Sequence, residues 1–171
     1  MDIKKTANLV LNFAIKRLAE IFGMIVFVIG ALLFISLITY SPEDPNFIFP
    51  DNTKIKNLLG FQGSFVSDLF FQSVGLISYL ISLTLVLTGI NIFRFKEFFL
   101  LIENLFFIII YSVFGSLFFS YFYADAFTLY INGNGGFVGN YFNQTFLVSL
   151  VKIHETISFY ILIIFIFCLF L

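Results

Sequence analysis

The stretch IFGMIVFVIGALLFISLIT, Ile21 to Thr39, runs nineteen residues without a formal charge and closes on Tyr40-Ser41-Pro42-Glu43-Asp44-Pro45. A helix needs about 20 apolar residues to cross about 30 Å of hydrocarbon, so this run is long enough to span a bilayer. The prolines and acids that follow stop the helix, because proline lacks an amide donor and clashes with the preceding turn. Lys4, Lys5, Lys16 and Arg17 stand before the run, as they would before a secretory signal. The apolar region is longer than the about 7 to 15 residues of a signal, and no small-residue cleavage site precedes Pro42, so it reads as an uncleaved anchor.

Three further runs lie outward from this one. Leu69 to Phe93 opens after Asp68 and ends at Arg94; Leu105 to Tyr123 follows Glu97, Glu103 and Asn104 and ends before Asp125; the last begins near Thr156 and continues to Leu171. The fold class expected is therefore all-α integral membrane, with four transmembrane helices at about 21–39, 69–93, 105–123 and 156–171 after a basic arm at 1–20. Ile157 to Leu171 is short of a full span, which predicts a helix and a cytoplasmic portion continuing past Leu171; a short helix that thins the bilayer is the alternative.

Composition agrees with lipid as the solvent. Of 171 residues, 60% are hydrophobic and 11% charged, with a mean hydropathy of +1.04, whereas a soluble domain carries about a quarter charged residues. That excludes an ordinary soluble globule and a disordered tail. A net charge of −1 leaves no basic footprint for nucleic acid, so no direct nucleic-acid contact is expected of this chain. One cysteine, Cys168, excludes an internal disulfide, and one histidine excludes a Cys/His zinc cluster.

Orientation follows from Lys and Arg in the flanks. Lys4, Lys5, Lys16, Arg17, Arg94 and Lys96 lie on one side, against Lys54, Lys56 and Lys152 on the other. Both termini are thus expected in the cytoplasm, with 40–68 and 124–155 periplasmic in a bacterium. The second of these segments reads as a glycine turn and an amphipathic interfacial helix, Phe137 to Ile153, before the fourth span.

The sequence assigns no catalytic, cofactor-binding or metal-ligating residue, and expects no cofactor. No ionisable group lies centrally in any run, Glu103 being read as interfacial, which disfavours a pump or proton-coupled transporter. His154-Glu155-Thr156-Ile157-Ser158 begins like a zinc-protease helix but has Ser158 where the second histidine must stand. Gly133-Asn134-Gly135-Gly136-Phe137-Val138-Gly139 breaks the dinucleotide pattern at Val138 and lacks a following Gly-Lys-Ser/Thr, so it reads as a tight turn. Small residues at helical spacing, Gly75, Ser78 and Ser82 in the second run and Ser112, Ser116 and Ser120 in the third, mark faces where helices can approach closely. Asp68 reads as a helix N-cap.

Tyr40-Ser41-Pro42-Glu43-Asp44-Pro45-Asn46-Phe47 after the first span, then Asn57, Gly60, Gly63, Asp68, Gln72, Gly75 and Tyr79, then Gly135-Gly136-Phe137-Val138-Gly139, stand in one order against the four spans. In that order they resemble the N-terminal four-helix membrane domain of the FtsK/SpoIIIE DNA translocases. The resemblance covers most of the chain and departs at Phe47, where relatives often have Trp. It implies a membrane-anchoring and septal interaction domain at the bacterial inner membrane, periplasmic family-motif positions at Tyr40, Pro42, Asp44, Pro45, Gly60, Gly63, Asp68, Gln72, Gly135, Gly136 and Gly139, and partners that include the lipid bilayer, other copies of itself and division-machinery membrane proteins. It further implies that ATP and DNA are handled by a motor whose linker, Walker motifs and DNA-reading domain are absent here. A membrane subunit of a transporter or enzyme complex, and a self-contained structural four-helix protein, are the competing readings.

Overall fold

The computed structural model of the chain describes residues 3–45, 54–124 and 131–170, the first four of these as backbone only. The side chains of Lys4 and Lys5, together with Asn46, Phe47 and Asp125, lie outside the described residues. All regular structure among the described residues is helical: α1 (Ile3–Ile38), α2 (Gly60–Val74), α3 (Ser78–Phe95), α4 (Phe99–Phe122), α5 (Gly136–Asn143), α6 (Phe146–Ile153) and α7 (Glu155–Phe170), with a single 3-10 turn, Gly75–Ile77, between α2 and α3. By length and composition three helical runs are fit to cross a membrane, Ala7–Ile38, Gly60–Phe95 and Phe99–Phe122, and Phe146–Ile153 with Glu155–Phe170, bent by 114°, makes a fourth when the bent pair is counted as one span.

The antiparallel pair α1 and α3 forms the spine. Ala19, Gly23, Val26, Gly30, Leu33 and Leu37 are the buried residues of α1 along it, at alternating steps of four and three. That spacing keeps one narrow face toward a neighbouring helix, as in a coiled coil. The backbones touch: a Cβ on Gly23 would stand 2.6 Å from the Phe93 amide nitrogen, on Gly30 2.7 Å from that of Val86, and on Gly89 2.7 Å from the Gly23 carbonyl oxygen.

The second helical run, Gly60–Phe95, contains the stretch Leu69 to Phe93 and is interrupted within it at Gly75–Ile77. Ser36 of α1 donates from Oγ to the Gly63 carbonyl (2.6 Å), while Tyr79 donates its hydroxyl to the Leu37 carbonyl (3.3 Å). Gly63 and Tyr79 are sixteen residues apart, about 24 Å in a straight helix, yet they reach adjacent residues of α1. The chain therefore turns sharply at Gly75–Ile77, and the rings of Phe71 and Tyr79, on either side of the turn, come within 5.5 Å. α3 makes the long contact with α1, and α2 meets α1 near Ser36. Asp68 is consequently not an N-cap: it is buried in the second half of α2.

The amphipathic stretch from Phe137 to Ile153 is two helices rather than one. At Thr145 the backbone is extended (φ −99°, ψ 175°), and the Thr145 hydroxyl donates to the Phe142 carbonyl (2.7 Å) and accepts from the Leu147 amide (3.4 Å). A threonine able to satisfy both ends in this way ends one helix and caps the next. α7 then packs on α4 through Leu162, Ile166 and a group of rings, among them Phe118 and Phe159 at 5.3 Å and Phe114 and Phe165 at 5.0 Å.

Candidate functional site

The end of the bundle around α2 is a polar layer built from buried side chains. Its first half closes the C-terminus of α1. A helix leaves its last four carbonyls without intrahelical partners, and here each of three is met: Ile35 by the Thr39 amide and hydroxyl (3.1 and 2.8 Å), Ser36 by Asn57 Nδ2 (2.9 Å) and Leu37 by the Tyr79 hydroxyl. Asn57 is the hub. Its Oδ1 accepts from the Leu59 amide (3.0 Å), its carbonyl accepts from the Gly60 amide (2.9 Å), and Nδ2 also reaches Ser67 Oγ (3.5 Å).

Asp44 holds this hub in place. Its two carboxylate oxygens accept one bond each from the Lys56 and Asn57 amides, both at 2.8 Å, and the residue is only 5% exposed. The Pro45 carbonyl accepts from Ser64 Oγ at 3.0 Å, so the Asp-Pro pair pins the loop after α1 to the first turns of α2. Gly63 fits between them because a Cβ there would collide with Asn57 Oδ1 and with Leu59. Pro42 is exposed and ends the helix, with Glu43 beside it paired to Lys56 at the surface. The Lys56 ammonium holds the Glu43 carboxyl below its ordinary range, and Glu43 in turn raises Lys56.

A chain of hydrogen bonds leads from here to the second half. Tyr40 donates its hydroxyl to Asp68 Oδ1 (3.0 Å), which also receives Gln72 Nε2 (3.5 Å); Gln72 meets Asn132 through Oε1 and its carbonyl (3.3 and 3.2 Å). Asn140 Nδ2 donates to the Asn132 carbonyl (2.7 Å), and Ser120 Oγ donates to Asn140 Oδ1 (3.0 Å). The glycine turn docks between these groups. Gly75 and Gly136 have φ of +70° and +63°, a conformation costly for any residue with a Cβ, and they face each other: a Cβ on Gly136 would lie 2.6 Å from the Gly75 nitrogen. Leu76 donates its amide to the Asn134 carbonyl (2.9 Å), and Gly135 and Gly139 lie against Ser116 and Ser120 of α4.

The layer thus unites Tyr40, Asp44, Pro45, Gly63, Asp68, Gln72, Gly135, Gly136 and Gly139, which are far apart in sequence. Gly60 borders it with φ +66° and open space around its α-carbon, and Pro42 faces outward. Gly75, Ser78, Ser82, Ser112, Ser116 and Ser120 are all buried within the chain. Ser116 Oγ donates across to the Val74 carbonyl (2.9 Å), Ser78 and Ser82 bond back to their own helix, and Ser112 Oγ has no partner.

At the opposite end, Glu20 pairs with Arg17 (2.5 Å) and with Lys96 (2.9 Å), tying α1 to the α3–α4 link, while Lys16 and Arg94 are exposed. Between the two ends, Asn104 Nδ2 donates to Thr88 Oγ1 (2.8 Å), and the Thr84 and Tyr111 hydroxyls share a bond of 2.8 Å between α3 and α4. Glu103 is exposed at the start of α4, and His154 is exposed at the bend before α7. Among the described residues no group of three His, Cys, Asp or Glu side chains is placed to hold a metal.

Sequence reasoning missed the α1–α3 contact, Gly23 against Gly89 and Phe93 and Gly30 against Leu85 and Val86. The seven-residue step between Gly23 and Gly30, which places them on one face, was the available signal. Asn57 carried no local signal of being a hub, because its partners come from α1 and α2.

Comparison with known proteins places these features in a family. The sequence profile of the 4TM region of DNA translocase FtsK/SpoIIIE matches residues 15–171. The DNA translocase FtsK of Caulobacter vibrioides is 36% identical over 69 residues, 40% of this chain and 8% of that protein. That of Rickettsia prowazekii is 33% identical over 69 residues, 40% of this chain and 9% of the relative, and that of Azospirillum brasilense 33% over 79 residues, 45% and 12%. The matched stretch therefore spans only a small fraction of the relatives' length. No solved structure matches.

Proposed function

The chain belongs to the family of the 4TM region of DNA translocase FtsK/SpoIIIE, and from that premise we propose that it is the membrane-anchoring and septal interaction domain of a bacterial DNA translocase acting in cell division and chromosome segregation. The observation that carries this reading is the profile match, which covers α1 from residue 15 through α7 and is to the membrane region rather than to an ATPase motor. In this reading the motor and its DNA contacts belong to other parts of the protein, and the domain itself works passively. Four crossings hold the motor at the inner membrane, with both termini in the cytoplasm as the basic flanks Lys16, Arg17, Arg94 and Lys96 favour.

The polar layer then faces the periplasm and serves as a rigid platform. It presents exposed Pro42, Glu43, Lys54, Lys56, Leu58 and Phe61 toward division partners. A platform of this kind suits recognition because a surface already held in its bound shape loses little freedom on docking. Copies of the domain associate through faces other than the serine and glycine stripes, which are used up inside the chain.

The chain fused to a fluorescent protein in dividing bacteria tests the reading. Enrichment at midcell is expected; uniform labelling of the envelope would reduce the domain to an anchor without a septal address. Topology is checked separately with Cys168 replaced by Ser and a single cysteine introduced: Lys54→Cys should react with a membrane-impermeant thiol reagent from outside, and Glu97→Cys should not.

A further inference from the structure

α1 is too long for the membrane it crosses. Its 36 residues extend about 54 Å, against about 30 Å of hydrocarbon, and no tilt within the usual range of up to about 40° absorbs the difference. Its partner α3 has 18 residues, about 27 Å, which matches the hydrocarbon. Contact between the two begins at Ala19 and Gly23, and Glu20 meets Lys96 at the same level. Ala19 to Ile38 is therefore the crossing, and Ala7 to Leu18 leaves the bundle.

Every residue from Ala7 to Leu18 is exposed, in contrast to the four-and-three burial that begins at Ala19. Six of them are large and apolar, Leu9, Val10, Leu11, Phe13, Ile15 and Leu18, with exposures of 42% to 64%. A helix projecting straight into water would hold all six in solvent. Asn8, Asn12 and Lys16 recur every four residues, one above another, with Val10, Ala14 and Leu18 on the opposite side, where Arg17, paired with Glu20, closes the apolar face at its bundle end. The charged residues at this level, Lys16, Arg17, Arg94 and Lys96 with Glu20 and Glu97, are cationic in sum. A broad apolar face, a narrow polar stripe and a basic margin are the features of a helix lying in a membrane interface.

We infer that Ala7–Leu18 lies along the anionic membrane surface at this end of the bundle as an amphipathic helix, α1 bending where it leaves α3, with Val10, Ala14 and Leu18 toward the acyl chains. The occupant of the apolar face is thus the bilayer itself, and lysine and arginine at its margin meet lipid phosphates. This surface segment is independent of where in the cell the protein resides, so it stands or falls apart from the midcell experiment.

The chain has no tryptophan, so single tryptophans report on their own surroundings. Val10→Trp and Asn12→Trp variants of the full chain, each checked for native helicity, are reconstituted in vesicles of phosphatidylethanolamine and phosphatidylglycerol with bromine on the upper acyl carbons. Val10→Trp is expected to emit at shorter wavelength and to be quenched severalfold more by brominated lipid than Asn12→Trp, and adding Lys16→Glu should reduce that quenching in these vesicles but not in zwitterionic ones. Equal quenching of both tryptophans by aqueous iodide would overturn the inference in favour of a projecting helix. Shielding from iodide without lipid quenching, dependent on the protein-to-lipid ratio, would overturn it in favour of a second copy.

Discussion

The α1–α3 seam and the polar layer above it hold helices together by opposite means. Along the seam nothing polar is exchanged between Gly23, Gly30 and Gly89 and their neighbours; the backbones simply come together, and each glycine leaves less room than a methyl group needs. In the polar layer Asp44, Asn57, Ser64, Ser67 and Asp68 are all buried and nearly every polar atom has a named partner. The difference follows from the solvent. Between helices in lipid there is no hydrophobic gain from association, so close packing must supply it. Where helices end, unmet carbonyls and amides cost free energy unless side chains reach them.

If that contrast is right, the seam should tolerate least. Gly89→Leu sets a side chain against the Phe27 and Gly23 backbones, which cannot yield, and is expected to cost about 3 kcal/mol or more. Loss of a monodisperse, folded species in detergent, seen by size exclusion and thermal unfolding, would be the sign; a variant that melts like the parent would show that the seam is looser than its geometry implies.

The polar layer should break more gently, because its bonds are many and separately replaceable. Asp44→Ala removes the acceptor of two amides at the edge of the layer, each orphan costing about 1 kcal/mol or more, so a loss of about 2 kcal/mol or more is expected. It should unfasten the loop after α1 first, so hydrogen exchange at Lys56 and Asn57 should rise before that along α3. Uniform acceleration along both would mean that the layer and the seam form one cooperative unit, and the comparison would dissolve.

Ser112 gives the smallest effect and the sharpest control. Its hydroxyl is buried in α4 without a partner, unlike Ser116, which bonds to Val74. Ser112→Ala should leave thermal stability unchanged or slightly raised, whereas Ser116→Ala should lower it by about 1 kcal/mol. Equal losses for the two would indicate that small size, rather than the hydrogen bond, is what α4 requires of these serines.

The sequence was most legible where one principle acts alone. Runs such as Ile21–Thr39 announce themselves because a spanning helix must be apolar throughout, and the bonding needs of its backbone are met internally. The break at Gly75 left less trace: α2 is apolar enough to read on into α3, and Gly63 and Tyr79 reaching neighbouring residues of α1 reveals the turn between them. Asp68 looked like a cap because it precedes the apolar run, whereas its place is set by Tyr40 from another helix. Thr145 split the expected interfacial helix by a local hydroxyl bond that hydrophobic periodicity does not register.

By itself the sequence determined that this chain lives in lipid, that it is helical, which runs are long enough to cross, and through the order of its Tyr-Ser-Pro-x-Asp-Pro and glycine motifs which family it resembles. These properties depend on composition and on spacing along one chain. Only the tertiary structure decided that Asp44, Asn57, Asp68, Gln72 and the glycine turn form one layer, that Gly23 and Gly89 share a seam, and that α1 outruns its partner. Those facts depend on which surfaces meet, and a hydrogen bond between residues sixty positions apart, such as that of Gln72 with Asn132, leaves no trace in the spacing of either.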